Sequence, residues 1–432
     1  GDVVYLHMPG MSVVVVNSES IATELLDQRG NIYSSRRKGF LLEMLGVELH
    51  LAFLPYNSPL FNQHRRIFQK HFSRDAVTSY QPLVASRAFN LLKNLLARPD
   101  DYDEHIMRFA MVIPYKAAFG FDVENDDEML QNSRAALQII NGFPELSLVD
   151  FIPALRHFPD WFPGASSIKR VRKLRPLVRK IYDYPFEVLK KQIDVSTDGV
   201  ATEASVVEKE YQLGLEADAD PSELASNVWS TLAFAVIFMA MNPEVQRTAQ
   251  AELDDVLKGE RLPDFNDWPS LPYIDCIIME VQRSAVLMPN ATTPGVHHLS
   301  TEDDVYNGYF IPKGTLILPN VKAIGRDGRV YKDPERFNPA RFLPQPYGGG
   351  EPPFTANFGY GRRICPGRHL ANAELFIAVA SILAVFDVRP AMDSNVRSGL
   401  TPTANVRHPK PVACDFRPRS PPFIRLLQGG IH

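Results

Sequence analysis

The chain opens on alternating apolar and polar positions. Val3–Met8 and Ser12–Val16 read as two strands of a hairpin turned at Pro9-Gly10. The period then changes. Ser18 stands where a helix cap belongs, Ile21, Leu25 and Leu26 share one helical face, and Gly30 stops the helix. Asn62–Phe72 is basic and amphipathic, and helical periodicity recurs in Tyr80–Leu96 and Ser167–Ile193. Residues 194–222 are polar, with Gly, Ser, Thr and Asp, and predict a loop or frayed segment. Ser230–Met241 is an apolar helix; Asn242-Pro243 ends it and caps the next, which runs to about Leu257 ahead of Gly259. Leu271–Arg283 adds another helix. From Asn290 to Phe342 short strands alternate with turns rich in Gly, Pro and Asp. Leu370–Phe386 is a long apolar stretch broken by Asn372, Glu374 and Ser381, and reads as a buried helix. The expected fold class is mainly α with small β-sheets (mixed α/β), with residues 1–432 as a single domain and no internal repeat.

Composition narrows the function. At 432 residues and 45% hydrophobic content the chain can bury a large core. A net charge of −4 supplies no basic field for nucleic acid. Cys276, Cys365 and Cys414 are odd in number and far apart, which argues against a disulfide framework, and a zinc cluster lacks its CxxC pairs. The longest uninterrupted apolar run, Leu232–Met241, is too short to span a bilayer.

One cysteine stands out. Cys365 lies in Phe358-Gly-Tyr-Gly361-Arg-Arg363-Ile-Cys365-Pro-Gly367, immediately ahead of the long apolar helix. A thiolate is a metal ligand, and a helix N-terminus behind the sulfur favours the ionised form. Pro366 suits the first turn of such a helix, where its missing N–H costs nothing. Gly361 and Gly367 permit tight turns and close approach to a flat group. Arg363 can meet an anion through charge-assisted hydrogen bonds. A lone cysteine is ordinarily an inert buried residue; ten positions in register ahead of a helix favour a ligand.

The loop resembles the heme-ligand segment of the cytochrome P450 family, Phe-x-x-Gly-x-Arg-x-Cys-x-Gly, with every fixed position filled. Other stretches resemble the same family. Glu280-Val-Gln-Arg283 places an acid and a base one helical turn apart. Alone, such a pair is ordinarily a weak surface contact. Here Asn338-Pro-Ala-Arg341-Phe342 follows it, and the resemblance implies a buried structural cluster of Glu280, Arg283 and Arg341. His298 falls where relatives place a residue on a heme propionate; an exposed histidine on a strand edge is the competing reading. Phe61-Asn-Gln-His-Arg65 is similar to the family's Trp-x-x-x-Arg, which gives Arg65 a propionate, with His64 as the alternative register.

The resemblance implies heme b as cofactor, held by Cys365 on iron with Phe358, Gly361, Arg363, Gly367, His298 and Arg65 around it. It implies a monooxygenase acting on an apolar small molecule, NADPH–cytochrome P450 reductase as electron donor, and the endoplasmic reticulum membrane as location. Met288–Thr293 and Ala404–Val406 fall where the family lines its substrate pocket. The style is that of fungal microsomal members of secondary metabolism. The chain begins at Gly1 directly in strand-like sequence, so the family's N-terminal membrane anchor is expected to be missing from it.

The sequence departs from the family on the oxygen side. Relatives carry Ala/Gly-Gly-x-Asp/Glu-Thr on a long helix; counted back from Pro243, that motif falls on Glu223-Leu-Ala-Ser226-Asn227. Ser226 and Asn227 take the places of acid and alcohol, with Ser230 and Thr231 one turn further on. The helix is also short by about eleven residues, close to three turns and about 16 Å. Three readings stay open: an error in the gene sequence, a heme-thiolate protein with peroxide-driven or isomerase chemistry, and a monooxygenase that uses Ser226 or Thr231.

Overall fold

The computed structural model describes residues 1–8, 10–48, 50–120, 128, 130–132, 134–135, 149, 152–159, 161–162, 166–195, 222–287, 296–392, 408–409 and 412–429. Eight strands lie among them: β1 Val3–Met8, β2 Met11–Val16, β3 His298–Leu299, β4 Asp304–Tyr306, β5 Tyr309–Ile311, β6 Leu316–Pro319, β7 Phe386–Pro390 and β8 Cys414–Pro418. The alternation at the start of the chain becomes a hairpin, β1 antiparallel to β2 from Val3↔Val16 to Met8↔Met11. β2 is buried on both faces, Met11 and Val13 on one and Val14 and Val16 on the other, while Val3 to Leu6 on the edge strand are exposed. Beyond β2 the sheet continues with β6, in parallel register from Val13↔Leu316 to Val16↔Pro319, and then with β3. Two smaller ladders, β4 with β5 and β7 with β8, complete the β part.

Several helix ends differ from the sequence reading. Ser18 makes no capping bond; its hydroxyl is engaged with that of Ser20 at 2.9 Å. The helix that follows runs Glu19–Thr23, widens into a π-helical turn over Glu24–Gln28, and Gly30 opens a further turn, Gly30–Tyr33, rather than ending the run. Asn242 does not cap the helix Pro243–Leu257. Its amide instead donates to the Phe238 carbonyl at 2.8 Å, which closes the end of the preceding helix. That helix extends upstream to Ser222, so the motif-equivalent residues are helical.

The core is helical. Ser222–Met241, Tyr102–Phe119 and Arg368–Val385 carry much of one large apolar cluster, with Ile106, Ile237 and Phe376 fully buried. Gln246 fastens β7 to this core: its amide donates to the Val388 carbonyl at 3.0 Å and accepts from the Val388 N–H at 2.7 Å.

Within Arg368–Val385 one acid breaks the pattern. Glu374 is 0% exposed and neither carboxyl oxygen has a hydrogen-bond partner. Burial pushes this carboxyl well above its ordinary 4.5 and favours its neutral form. A raised folded value gives stability that is complete below pH 4.5 and lost as pH rises above it. Glu374→Gln is therefore expected to be more stable than the parent at pH 7, with the gap closing as pH falls towards 4.5. Urea melts of both proteins at the two pH values check this; a gap that does not depend on pH refutes it.

Candidate functional site

The cysteine loop docks on the widened turn of the first helix. Gly361 has φ +47°, and a Cβ there would stand 2.6 Å from the Leu26 carbonyl oxygen. Its glycine is thus required by backbone packing, away from the cavity described below. A 3-10 turn, Gly361–Arg363, leads to Cys365, whose N–H donates to the Phe358 carbonyl at 2.7 Å and closes the loop. The helix itself starts at Arg368 with Gly367 as its cap residue. Pro366 therefore lies in the turn before the helix and not in its first turn, because the loop must clear the cavity first. The Arg368 guanidinium returns to the Cys365 carbonyl at 3.1 Å.

Cys365 differs from the other two cysteines. Cys276 and Cys414 are buried, and burial pushes both thiols up to about 12. Cys365 is only partly buried and lines a cavity of about 340 Å³. Phe358, Gly359, Pro366 and Gly367 share its wall. Asn227, Ser230, Thr231 and Phe234 of the Ser222–Met241 helix supply another wall.

Cations line the same space. Arg363 donates to the carbonyls of Ser34, Leu51 and Leu54 at 2.6, 3.2 and 2.6 Å, with its guanidinium 4.1 Å over the Phe61 ring. Burial, and then the charge of Arg65, lower its pKa to about 10. Arg65 donates to the Ile364 carbonyl at 2.7 Å and is lowered by burial. Neither guanidinium meets a carboxylate among the described residues. Arg36, which the sequence reading missed, also lines the cavity and donates to the carbonyls of Ala52 and His297 at 3.0 and 2.7 Å. Its only sequence signal is the Arg36-Arg37 pair. Arg65, not His64, is the residue of that helix at the cavity.

His298 lines the cavity and is 2% exposed, which overturns the exposed-histidine reading although β3 is an edge strand of its sheet. Burial, and then Arg36, hold its pKa well below 6.5. The neutral ring pairs Nδ1 with the Tyr33 carbonyl at 2.7 Å, so Nδ1 carries the proton and Nε2 is an acceptor. Meeting a carboxylate through Nε2 requires a second proton on the ring.

Glu280 ties the helix Pro272–Leu287 to the segment before the loop. It accepts from Arg283 Nε and Nη2 at 2.8 Å each, from the Asn338 N–H at 2.8 Å and from Arg341 Nε at 3.2 Å. Exposure of the three side chains is 0, 0 and 1%. Glu351, absent from the sequence reading, joins them by accepting from Arg341 Nη1 at 2.7 Å.

On the oxygen side, Thr231 donates its hydroxyl to the Asn227 carbonyl at 2.7 Å and Asn227 is exposed. The side chain of Ser226, the segments Met288–Thr293 and Ala404–Val406, and nearly all of 194–222 lie outside the described residues. A second cavity of about 700 Å³ lies against the same loop. It is lined by Arg362, Ile364 and Arg368 where the first takes Arg363, Cys365 and Gly367, and Arg65 belongs to both. Arg74 joins Arg65, Arg362 and Arg368 to make it strongly cationic, with Asp27 as its acid; burial lowers the His369 pKa, so its ring adds no charge at neutral pH.

The family model described as Cytochrome P450 matches residues 1–181 and 226–416 of the chain. A monooxygenase named COX1 from Coprinopsis cinerea is 34% identical over 99% of this chain and 87% of its own length. The tryptamine 4-monooxygenase of Psilocybe cyanescens is 30% identical over 99% and 88%. Among solved structures, a zebrafish cytochrome P450 studied with abiraterone superposes with a TM-score of 0.75 at 25% identity, covering 97% of this chain and 96% of its own.

Proposed function

We propose that this chain, which belongs to the cytochrome P450 family, inserts one atom of O₂ into an apolar organic molecule with Cys365 as the thiolate ligand of heme b. Its relatives are monooxygenases, that is, oxidoreductases. One observation carries the assignment: a partly buried thiol shares a cavity with Arg65 and Arg363, which meet no carboxylate among the described residues. Half-buried guanidiniums with only carbonyls to bind favour an anionic ligand, and the propionates of heme meet that need. The donor set thus fits the group.

Heme supplies oxygen activation, and a thiolate ligand favours O–O cleavage. The remaining work belongs to the chain. Cys365 holds the iron, and Phe358, Gly359 and Gly367 form the wall at the ligand. Gly361 locks the loop onto the first helix. Arg363 and Arg65 hold propionates, with Arg36 as a third cation and His298 joining once doubly protonated. Glu280, Arg283 and Arg341 keep the loop in register from behind. Ser226 and Thr231 are the hydroxyls assigned to oxygen handling. The apolar side chains of Phe68, Phe234 and Val286 line the cavity and suit an apolar substrate.

Electrons come from NADPH through a separate reductase, and the cationic second cavity suits an acidic docking partner. The endoplasmic reticulum membrane as location and secondary metabolism as setting are what the family resemblance implies. Among the described residues, the one helix long and apolar enough to cross a membrane, Arg368–Val385, is 83% buried within the fold. Residues 1–432 act as one domain in this reading.

A second reading has its own support. Asn227 stands in the alcohol position and the Thr231 hydroxyl is committed to a backbone carbonyl, which favours a heme protein with peroxide-driven or isomerase chemistry. The reduced CO spectrum, followed by NADPH consumption with a reductase, separates the two. A thiolate-type CO band with substrate-dependent product supports the first reading. The same band without NADPH-dependent product supports the second, and a protein that takes up no heme refutes both.

Arg363→Ala is expected to weaken heme retention by about ten- to a hundredfold, the equivalent of one or two charge-assisted contacts. Heme lost on gel filtration, compared with the parent, is the measurement; equal retention counts against a propionate role.

A further inference from the structure

Behind the cavity wall lies a cluster that the assignment above does not use. Asp103, on the helix Tyr102–Phe119, is 8% exposed. Its Oδ1 accepts from Trp229 Nε1 at 3.0 Å and from His408 Nε2 at 2.9 Å. The other nitrogen of His408, Nδ1, meets Ser230 Oγ at 3.2 Å. The His408 ring lies against Trp229 with centroids 3.8 Å apart and planes tilted by 32°. Ser230 lines the cavity that holds Cys365. A continuous line of donors and acceptors therefore joins a buried carboxylate to a cavity hydroxyl.

The orientation of that line is fixed by chemistry. A carboxylate only accepts, so His408 Nε2 carries a proton. Nδ1 of the neutral ring then accepts from the Ser230 hydroxyl, and Nδ1 of the doubly protonated ring donates to it. This distinguishes Ser230 from Thr231, whose hydroxyl proton is held by a backbone carbonyl. Asp103 orients the ring, and the Trp229 face fixes its plane. Among the described residues, Arg134 is the other charged group facing the cluster, 5.9 Å over Trp229.

We propose that Asp103, His408 and Ser230 form a proton-supply chain to the cavity, with Ser230 as the terminal donor and Asp103 and His408 as positioning residues. The proposal rests on the oxygenase reading, in which each O₂ takes two electrons from NADPH and two protons to give one product hydroxyl and one water. In each transfer, His408 passes its Nδ1 proton to Ser230 Oγ while the Ser230 O–H proton moves to an acceptor in the cavity. His408 is left neutral with Nε2–H on Asp103. It regains a proton from solvent, to which its side chain is 10% exposed.

Two measurements test this on the full-length holoenzyme. The first needs no turnover. The chain has three tryptophans, so 5-fluorotryptophan labelling gives three ¹⁹F signals in the ferrous CO form, with Trp229 assigned from Trp229→Phe. The Trp229 signal is expected to shift in His408→Gln and also in Ser230→Ala, because the hydrogen bond to Ser230 fixes the imidazole that lies against the indole. A Trp229 signal indifferent to His408→Gln overturns the proposal. The second is product formed per NADPH consumed. Ser230→Ala and His408→Gln are expected to lower it by about tenfold or more, with unchanged heme content and CO spectrum, and Ser230→Thr to restore it. If the parent makes product and Ser230→Ala is equally well coupled, the proton chain is refuted while the oxygenase reading stands. If the parent holds heme but makes no product, the oxygenase reading fails and takes the proposal with it.

Discussion

Cys365→Ala is expected to abolish the thiolate-type reduced CO spectrum and to lower heme affinity by roughly a hundredfold or more. Loss of a mere outer-shell partner typically costs about 10–100-fold in metal affinity, and removal of the ligand itself exceeds that. The specificity of the result matters as much as its size. Cys276 and Cys414 are buried thiols pushed up to about 12 and do not reach the cavity. Cys276→Ala and Cys414→Ala should therefore keep the spectrum. A Cys365→Ala protein that retains the parent spectrum would falsify the ligand assignment.

Glu280→Ala carries the second large effect, this time on stability. The carboxylate accepts four hydrogen bonds, three of them from guanidiniums that are 0 and 1% exposed. Truncation strands the buried Arg283, left with the Gly325 and Pro334 carbonyls, while Arg341 keeps Glu351; breaking a buried pair this way costs about 3–5 kcal/mol. Glu280→Gln keeps an acceptor oxygen and should lose less. Chemical denaturation of the three proteins, loaded with heme to equal extent, orders them; a Glu280→Ala loss under about 1 kcal/mol, the size of an exposed pair, rejects the cluster as a structural lock.

What the sequence made legible was local. The cysteine loop is a run of ten residues, so its pattern is visible without knowing the fold, and Glu280 with Arg283 follow from helical spacing. Arg341 and Arg65 needed the family pattern. What escaped depends on contacts made across the chain. Glu351 reaches Arg341 because the segment turns back on itself at Gly348 and Gly349, where a Cβ would run into the Ala340 and Arg341 backbone. Arg36 reaches the cavity only once Ala52 and His297 offer it carbonyls. The helix ends at Ser18, Gly30 and Asn242 were misread for a related reason. Their side chains and turns answer to neighbours that propensity does not encode: Ser20 for one, Arg362 of the docked loop for another, and the preceding helix for the third. His408 belongs to no motif singled out in the sequence. Its link to Asp103 and Ser230 joins three distant stretches and has no local signature.

The pairing of β2 with β6 also governs how the protein is made. Val13–Val16 can find Leu316–Pro319 only after most of the chain has left the ribosome. Until then Val13, Val14 and Val16, which end buried in the sheet, are exposed on a lone hairpin, and isolated two-stranded hairpins are marginal in water. Pairings this distant slow folding and lengthen the exposure of sticky edges. Yield in a host cell is therefore set by chaperone capacity during synthesis, and slower translation at low temperature should raise the share of chains that reach the folded, heme-competent state.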